Sequence, residues 1–343
     1  MRVENLKPTK MPLISVITPT KNRAKLLPET MNSVATQTFT DWEHIIVDDG
    51  SDDGTEAFVR ERASSDPRVR YIRRTGEKAG ANVCRNRGIR EARADLIVFL
   101  DSDDLLAPAA LGRRAATMQR NADLDFVVFY TGVFRERLGD IERLDPRDIL
   151  GDHLLQFLSF EHPWQTTAPT WRRSALEGLG GFDEALPSWQ DIDLHVRGIA
   201  SGLRYIRFRD VDHFMRWQND PDRVSIRQRR SMEHLRAAVD IFAKFEAVVR
   251  DGPGMNWNRQ RALCGLYFFV AELMLEAGER DDASACWSTA RGRHLAGAWL
   301  HLQGRLLLAL LSAGAPGRRI GKRLVHKWKG WVRFRTIPEL VRR

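Results

Sequence analysis

Along the first 130 positions the apolar residues alternate between two periods. A β-branched run at 13–17 (LISVI) stops at Thr18-Pro19-Thr20, as a buried strand closed by turn residues does. Next, Leu27, Met31 and Val34 recur at i, i+4 and i+7 and describe one face of a helix. The alternation then repeats, with strands at 43–47 (EHIIV), 69–73 (VRYIR), 96–100 (LIVFL) and near 124–130. Helices fall near 55–64, 82–93 and 108–121. Continuous apolar strands interleaved with helices predict an α/β fold, a mostly parallel sheet flanked by helices on both faces.

From about 131 to 227 the pattern loosens into short elements rich in aromatics, Pro and Gly. Two runs stand out there, Gly180-Gly181-Phe182-Asp183-Glu184 and Trp189-Gln190-Asp191-Ile192-Asp193-Leu194. Beyond 228 the period becomes helical, with helices expected at 229–248, 258–277, 281–292, 295–313 and 317–334. Breaks at Asp251-Gly252-Pro253-Gly254, Gly278 and Ala315-Pro316-Gly317 separate them. A first domain over 1–227 and a helical, basic C-terminal region over 228–343 follow.

With 343 residues, 43% hydrophobic and 29% charged, the chain can bury a sizeable core and is not of a disordered class. Cys84, Cys264 and Cys286 are odd in number and widely spaced, which disfavours a disulfide framework or a zinc knuckle and fits a reducing compartment. The N-terminus lacks an apolar stretch behind its charges, so no secretory signal is expected. The most apolar segment, 295–315, is interrupted by His301, Gln303 and Arg305, short of the roughly 18–20 clean residues a spanning helix needs. The formal net charge of +9 is unevenly distributed. Residues 291–343 hold 13 Lys and Arg against Glu339 alone, which makes +12 and leaves 9 − 12 = −3 for the remainder.

In a parallel α/β sheet ligands bind beyond the carboxyl ends of the strands. The first strand is followed by Thr18-Pro19-Thr20-Lys21-Asn22-Arg23, the second by Asp48-Asp49-Gly50-Ser51-Asp52-Asp53-Gly54-Thr55, the fourth by Asp101-Ser102-Asp103-Asp104. Neither GxGxxG nor GxxxxGK[ST] occurs at these ends, against a dinucleotide fold and a P-loop. Any one cluster reads equally well as a solvated turn. Three polar clusters at one sheet edge, two of them carboxylate-rich, repel one another unless a cation lies between them, and a hard divalent ion shared with the phosphates of a nucleotide meets that need.

The pieces ISVITPTKNR at 14–23, SVATQTFTDWEHIIVDDGSDDGT at 33–55, GANVCRNRGI at 80–89, LIVFLDSDD at 96–104, GGFDE at 180–184 and WQDIDLHVR at 189–197 resemble, in order and spacing, a family 2 glycosyltransferase of the GT-A fold. The resemblance covers roughly 12–225 and implies a nucleotide-sugar half at 12–105 and an acceptor half at 106–227. It implies an inverting enzyme that uses a nucleotide-diphospho-sugar donor, a UDP-sugar by expectation, and a glycan or lipid-linked acceptor in cell-surface polysaccharide assembly. Pro19 with Asn22 or Arg23 would line the nucleotide pocket, and Asp49 would accept the N3–H of a uracil-like base. Arg85 and Asn86 would sit near the sugar or diphosphate. Asp101 and Asp103 would form the DxD-type motif, with Asp103 the direct ligand of Mn²⁺ or Mg²⁺. Asp191 would be the general base.

Departures from the family pattern are Gln190 before Asp191, where many relatives carry Glu, and Cys84 in place of Ala before Arg85-Asn86. The segment 211–225 matches only loosely. His213 is a candidate extra metal or phosphate ligand there, with a structural role as its alternative, and Arg216 is a phosphate candidate because a guanidinium suits bidentate contacts. Asp191 also fits the first turn of a helix through the macrodipole, and Asp193 with Arg197 fits an i,i+4 ion pair.

The tail, 317–335, interleaves Lys322, Arg323, Lys327, Lys329, Arg333 and Arg335 with Trp328 and Trp331. It reads either as a helix on an anionic membrane surface or as a solvated face with its tryptophans packed inward. No nucleic-acid module accompanies the charge. The expected place is the cytoplasm, with the tail at the cytoplasmic membrane face. The competing class is a catalytically silent nucleotide-sugar or glycan-binding assembly partner, against which stand all the carboxylates the chemistry requires.

Overall fold

The computed structural model describes residues 11–76, 78–145, 151–217, 231–313 and 315–332. Its chain divides into two compact units whose segments interleave. The first comprises 1–147, 164–184 and 203–217, the second 148–163, 185–202 and 218–343. The expected boundary at 227 lies outside the described residues, and 148–163 and 185–202 cluster with the C-terminal helices.

The first unit holds strands β1 (Ile14–Thr20), β2 (Trp42–Asp48), β3 (Val69–Arg73), β4 (Leu96–Phe99), β5 (Leu105–Leu106), β6 (Phe126–Phe134), β7 (Leu144–Asp145), β8 (Pro169–Arg172) and β9 (Tyr205–Arg216). Its helices are α1 (Leu27–Ala35), α2 (Thr55–Ser65), α3 (Ala81–Glu91), α4 (Ala110–Arg120) and α6 (Arg173–Gly178), numbered along the whole chain. Among the described residues the strands form one sheet in the order β3-β2-β1-β4-β8-β6-β9-β5, with β7 beside β6. β1, β2, β3 and β4 pair in parallel, as their crossover helices require, and β8 then joins β4 and β6 antiparallel. The twelve-residue β9 falls where the sequence pattern had loosened; it runs parallel to β6 with two register shifts that blur its alternation.

Two apolar clusters explain the periodicities. Val34 of α1, with Leu111, Ala115 and Met118 of α4, packs on Ile14, Val16 and Val98. Leu27 and Met31 pack with Ile46, Val59 and Val69. In α3 the backbone at Gly88 lies so close to β1 that an added Cβ would come within 2.3 Å of Ile17 Cγ2. That approach sets α3, and with it Arg85 and Asn86, against the end of β1.

The second unit holds α5 (His153–Leu158), α7 (Gln190–Ala200) and helices at Met232–Asp251, Trp257–Glu276, Arg280–Gly292, Ala298–Ser312 and Ala315–Val332, of which the last five start or end within a few residues of their expected positions. Asp152 and Asn256 cap their helices by accepting the Leu155 and Arg259 N–H groups, each at 2.9 Å. Trp287 is fully buried against Gly304, where a Cβ would come within 2.3 Å of the indole. Among the described residues no helix is long and apolar enough to cross a membrane.

Candidate active site

Parallel pairing fixes which side chains share an edge. Thr20 lies opposite Asp48, and Asp48 opposite Arg73, while Leu100 donates its N–H to Ile17 O at 3.0 Å. The segments after β1, β2, β3 and β4 therefore emerge on one side of the sheet. The first two are tied together through Asn22, whose φ of 53° is left-handed, a conformation Asn tolerates. Its N–H donates to Ser51 Oγ and its side-chain oxygen accepts the Asp52 N–H, both at 2.9 Å. Arg23 N donates to Thr55 Oγ1 at 3.0 Å.

The adjacent Asp48 and Asp49 have different surroundings. Asp48 is fully buried and accepts from Ser51 N at 2.9 Å, Ser51 Oγ at 2.6 Å and Tyr71 OH at 2.7 Å. Burial first, then that bond, raises the Tyr71 hydroxyl pKa. Asp49 sits at the rim, where it pairs with Arg74 Nε and accepts the Gly80 N–H at 3.1 Å, with Lys21 Nζ at 4.0 Å. A carboxylate has about four lone-pair sites, so these contacts leave Asp49 able to accept a further donor.

Arg85, with 8% of its side chain exposed, reaches Asp101 Oδ1 at 2.7 Å while its plane lies 5.3 Å from the Phe182 ring centre. Its Nε is buried without a hydrogen-bond partner among the described residues. Asn86 is a clamp: its amide donates to Phe182 O at 2.8 Å and Glu184 Oε1 at 2.9 Å, and its oxygen accepts the Phe182 N–H at 2.8 Å. Gly181, at a φ of 69°, is needed because a Cβ there would lie 2.5 Å from Asn86 Oδ1. The GGFDE run is thus held against α3 by Asn86, next to the Arg85 guanidinium. Cys84 is fully buried, and burial pushes its thiol pKa up to about 12, which suits a core residue.

Asp101 and Asp103 share a turn, with Asp104 N donating to Asp101 O at 3.1 Å. Arg23 Nη2 stands 3.7 Å from Asp103 Oδ2. Arg216 is buried: its Nε donates to Asp103 O at 3.2 Å, its backbone N–H to Asp104 Oδ1 at 3.1 Å, and its guanidinium pairs with Glu29. His213 is fully buried, with Nδ1 2.9 Å from Asp212 Oδ1 and Nε2 2.7 Å from Thr131 Oγ1, so both ring nitrogens are engaged inside the fold. Burial first, then Arg114, keeps it neutral against the pull of Asp212. These contacts favour the structural role that the sequence offered as its alternative.

Among the described residues no three His, Cys, Asp or Glu side chains gather as a metal cage. Mg²⁺ and Mn²⁺ at nucleotide sites ask for less, one or two carboxylates completed by phosphate and water. Asp101, 40% exposed, and Asp103, 29% exposed, offer that donor set on one turn with arginines on either side.

Asp191 belongs to the second unit, in the first turn of α7, half-buried and accepting the Ile192 N–H at 2.9 Å. Trp189 before it has a φ of 64°, unusual for a bulky residue and of the kind found near functional positions. The neighbouring Asp193 is structural: fully buried, it pairs with Arg197 Nη2 at 2.8 Å and Lys244 Nζ at 2.7 Å. His195, one turn on, is kept neutral by burial, its pKa lowered to about 3.

Sequence reading missed Arg74, Gly80 N and Lys21 around Asp49, and Glu29 on Arg216. It also missed Thr20, whose buried hydroxyl has no partner among the described residues. Arg74, directly after the third strand, is the available signal.

Residues 15–170 match the model of the family described as glycosyl transferase family 2. A GalNAc(5)-diNAcBac-PP-undecaprenol beta-1,3-glucosyltransferase of Campylobacter jejuni is 33% identical over 133 residues, 39% of this chain and 42% of that one. The chain thus spans less than half the length of this curated relative. S. aureus TarS 1-349 in complex with UDP-GlcNAc superposes with a TM-score of 0.68 at 18% identity, covering 92% of each chain. The mannosyltransferase PcManGT of Pyrobaculum calidifontis, in complex with GDP-Man and Mn²⁺, gives 0.55 at 21% identity, covering 95% of this chain and 87% of that one. At such identities the likeness to solved structures concerns the fold.

Proposed function

We propose that this chain, which belongs to glycosyl transferase family 2 through residues 15–170, moves one sugar from a nucleotide diphosphate donor to a hydroxyl of a glycan or lipid-linked acceptor. The observation that carries the reading is the arrangement of Asp49, Arg85 with Asp101, and Arg23 with Asp103 beyond the ends of parallel strands of one sheet. Asp49, steadied by Arg74 and the Gly80 N–H, takes the N3–H of a uracil ring beside Pro19 and Asn22. The Nε of Arg85, unsatisfied among the described residues, is a donor waiting for a sugar or phosphate oxygen. Asn86 and Arg216 keep the surrounding loops in place.

Asp191 takes the proton of the acceptor hydroxyl, and that oxygen forms its bond to the anomeric carbon as the bond to the diphosphate breaks. One displacement inverts the centre. A divalent ion held by Asp103 and Asp101 would neutralise the charge growing on the departing diphosphate. The relative acting on an undecaprenol-linked glycan favours a lipid-linked acceptor, and with it a place at the cytoplasmic membrane face. The tail segment 317–335 would provide the attachment; its side chains from 326 onward lie outside the residues whose side chains are described.

Thermal unfolding with UDP-, GDP- and dTDP-sugars, each with and without Mn²⁺, tests the donor reading, because a ligand that binds only the folded state raises Tm. A UDP-sugar is expected to give the largest Mn²⁺-dependent shift. No shift with any nucleotide sugar overturns the function.

A further inference from the structure

The helix Ala298–Ser312 is apolar on two opposite sides. Gly304, Leu307, Leu308 and Leu311 are buried, whereas Trp299, Leu302 and Leu306, at i, i+3 and i+7, are 71%, 45% and 58% exposed. The next helix packs on it, as an added Cβ at Gly321 would meet Leu311 and Arg318 Nε donates to Leu311 O at 3.3 Å. This second helix leaves Ile320 and Leu324, at i and i+4, 54% and 43% exposed. Five of the ten exposed large apolar side chains among the described residues thus come from this one hairpin. A concentration of that kind marks a contact surface.

Charge identifies what covers it. From Ala283 to Pro338 the sequence contains no Asp or Glu, while it carries 11 Lys and Arg, of which Arg305, Arg318, Arg319, Lys322 and Arg323 flank the apolar residues as exposed side chains. A second copy of the chain would bring the same positive field to the interface and be repelled. An acyl surface with anionic headgroups meets both requirements. It takes up apolar side chains to a shallow depth, favours tryptophan at its boundary, and attracts the basic rim.

We infer that the hairpin of Ala298–Ser312 and Ala315–Val332 lies on an anionic lipid bilayer, with Trp299, Leu302 and Leu306 inserted at its surface. The apolar anchor is then a helix that the charge pattern of the tail did not single out. This deepens the surface attachment proposed above and is independent of the transfer chemistry.

The test is co-sedimentation of the full chain with phosphatidylcholine vesicles and with vesicles containing a third phosphatidylglycerol. Wild type is compared with Trp299→Ser/Leu306→Ser and with Lys327→Gln/Lys329→Gln/Arg333→Gln/Arg335→Gln. The mutated apolar side chains are exposed, so the apolar variant should keep the wild-type Tm; Tm is measured for both variants alongside. Wild type should bind the anionic vesicles and release them as salt rises. The apolar variant should bind at least about tenfold more weakly. Unchanged binding by the apolar variant together with loss in the tail variant would leave attachment to the tail alone and overturn the inference. Failure of wild type to bind either vesicle overturns the membrane reading as a whole but leaves the nucleotide-sugar Tm shift untouched. A wild-type dimer that Trp299→Ser/Leu306→Ser turns into a monomer, measured by light scattering, assigns the face to a second copy instead.

Discussion

Two groups of arginines and aspartates in the first unit use the same chemistry to opposite ends. In the core, Arg114 and Asp212 are both fully buried and meet through two parallel contacts at 2.7 and 2.8 Å, with Arg114 Nη1 donating to Thr167 O at 3.0 Å and Nη2 lying 3.2 Å from His213 Nδ1. Burial alone would raise the Asp212 carboxyl pKa, yet Arg114 and His213 outweigh it and hold the group below the usual carboxylate range. At the strand ends, Arg85 meets Asp101 through Nη2 alone, its Nε has no hydrogen-bond partner among the described residues, and Arg23 only approaches Asp103. Saturated pairs of this kind hold strands together. Pairs that are open to solvent on one side retain donors and acceptors for a ligand.

The largest expected effect tests the saturated pair. Asp212→Ala leaves the Arg114 charge buried and should cost about 3–5 kcal/mol of stability, measured by denaturant unfolding. A loss under about 1 kcal/mol would mean the pair is not structural. Asp191→Asn should lower turnover by roughly 10²–10⁴-fold with nucleotide-sugar affinity nearly unchanged, since it removes only the proton acceptor. Unaltered turnover would dismiss Asp191 as base. Asp103→Ala should weaken Mn²⁺-dependent UDP binding by about tenfold or more, near 1.4 kcal/mol, while changing the unfolding free energy little because its ion pair is partly exposed. A variant that loses stability but keeps metal-dependent binding would erase the contrast between the two groups.

A last effect, absent near neutral pH, appears only on acidification. His44 and His195 are fully buried and held neutral chiefly by burial, each with a pKa near 3 against an ordinary value of 6.5. The unfolded chain binds these protons first, so the stability they confer is complete above about pH 6.5 and is lost as pH falls toward 3. Each contributes a slope of up to about 1.4 kcal/mol per pH unit in that window. Replacing His44 by Gln should flatten the acid limb of a Tm-against-pH curve; an unchanged limb would show that His44 takes no part.

The parallel strands β1, β2 and β4 were legible because burial on both faces writes an uninterrupted apolar run, and their crossover helices because burial on one face writes a 3.6-residue period. Asp49, Asp101 and Asp103 could be read for the same reason, as each follows such a run. β9 could not: its register shifts break the alternation, and its pairing with β6 joins residues some 80 positions apart.

The sequence by itself determined the alternation of strands and helices over the first 130 residues, the two acidic strand ends and the basic tail, all of which depend on neighbours within a few residues. Only the tertiary structure decided that His213 is walled in by Thr131, Asp212 and Arg114. In the same way it decided that Asn86 serves the GGFDE loop and that Trp299, Leu302 and Leu306 face outward while Leu307 and Leu311 face inward. Those outcomes rest on which residues meet across long separations and which side of a helix remains uncovered. A local pattern specifies neither, because the same polar or apolar side chain satisfies several surroundings until packing selects one.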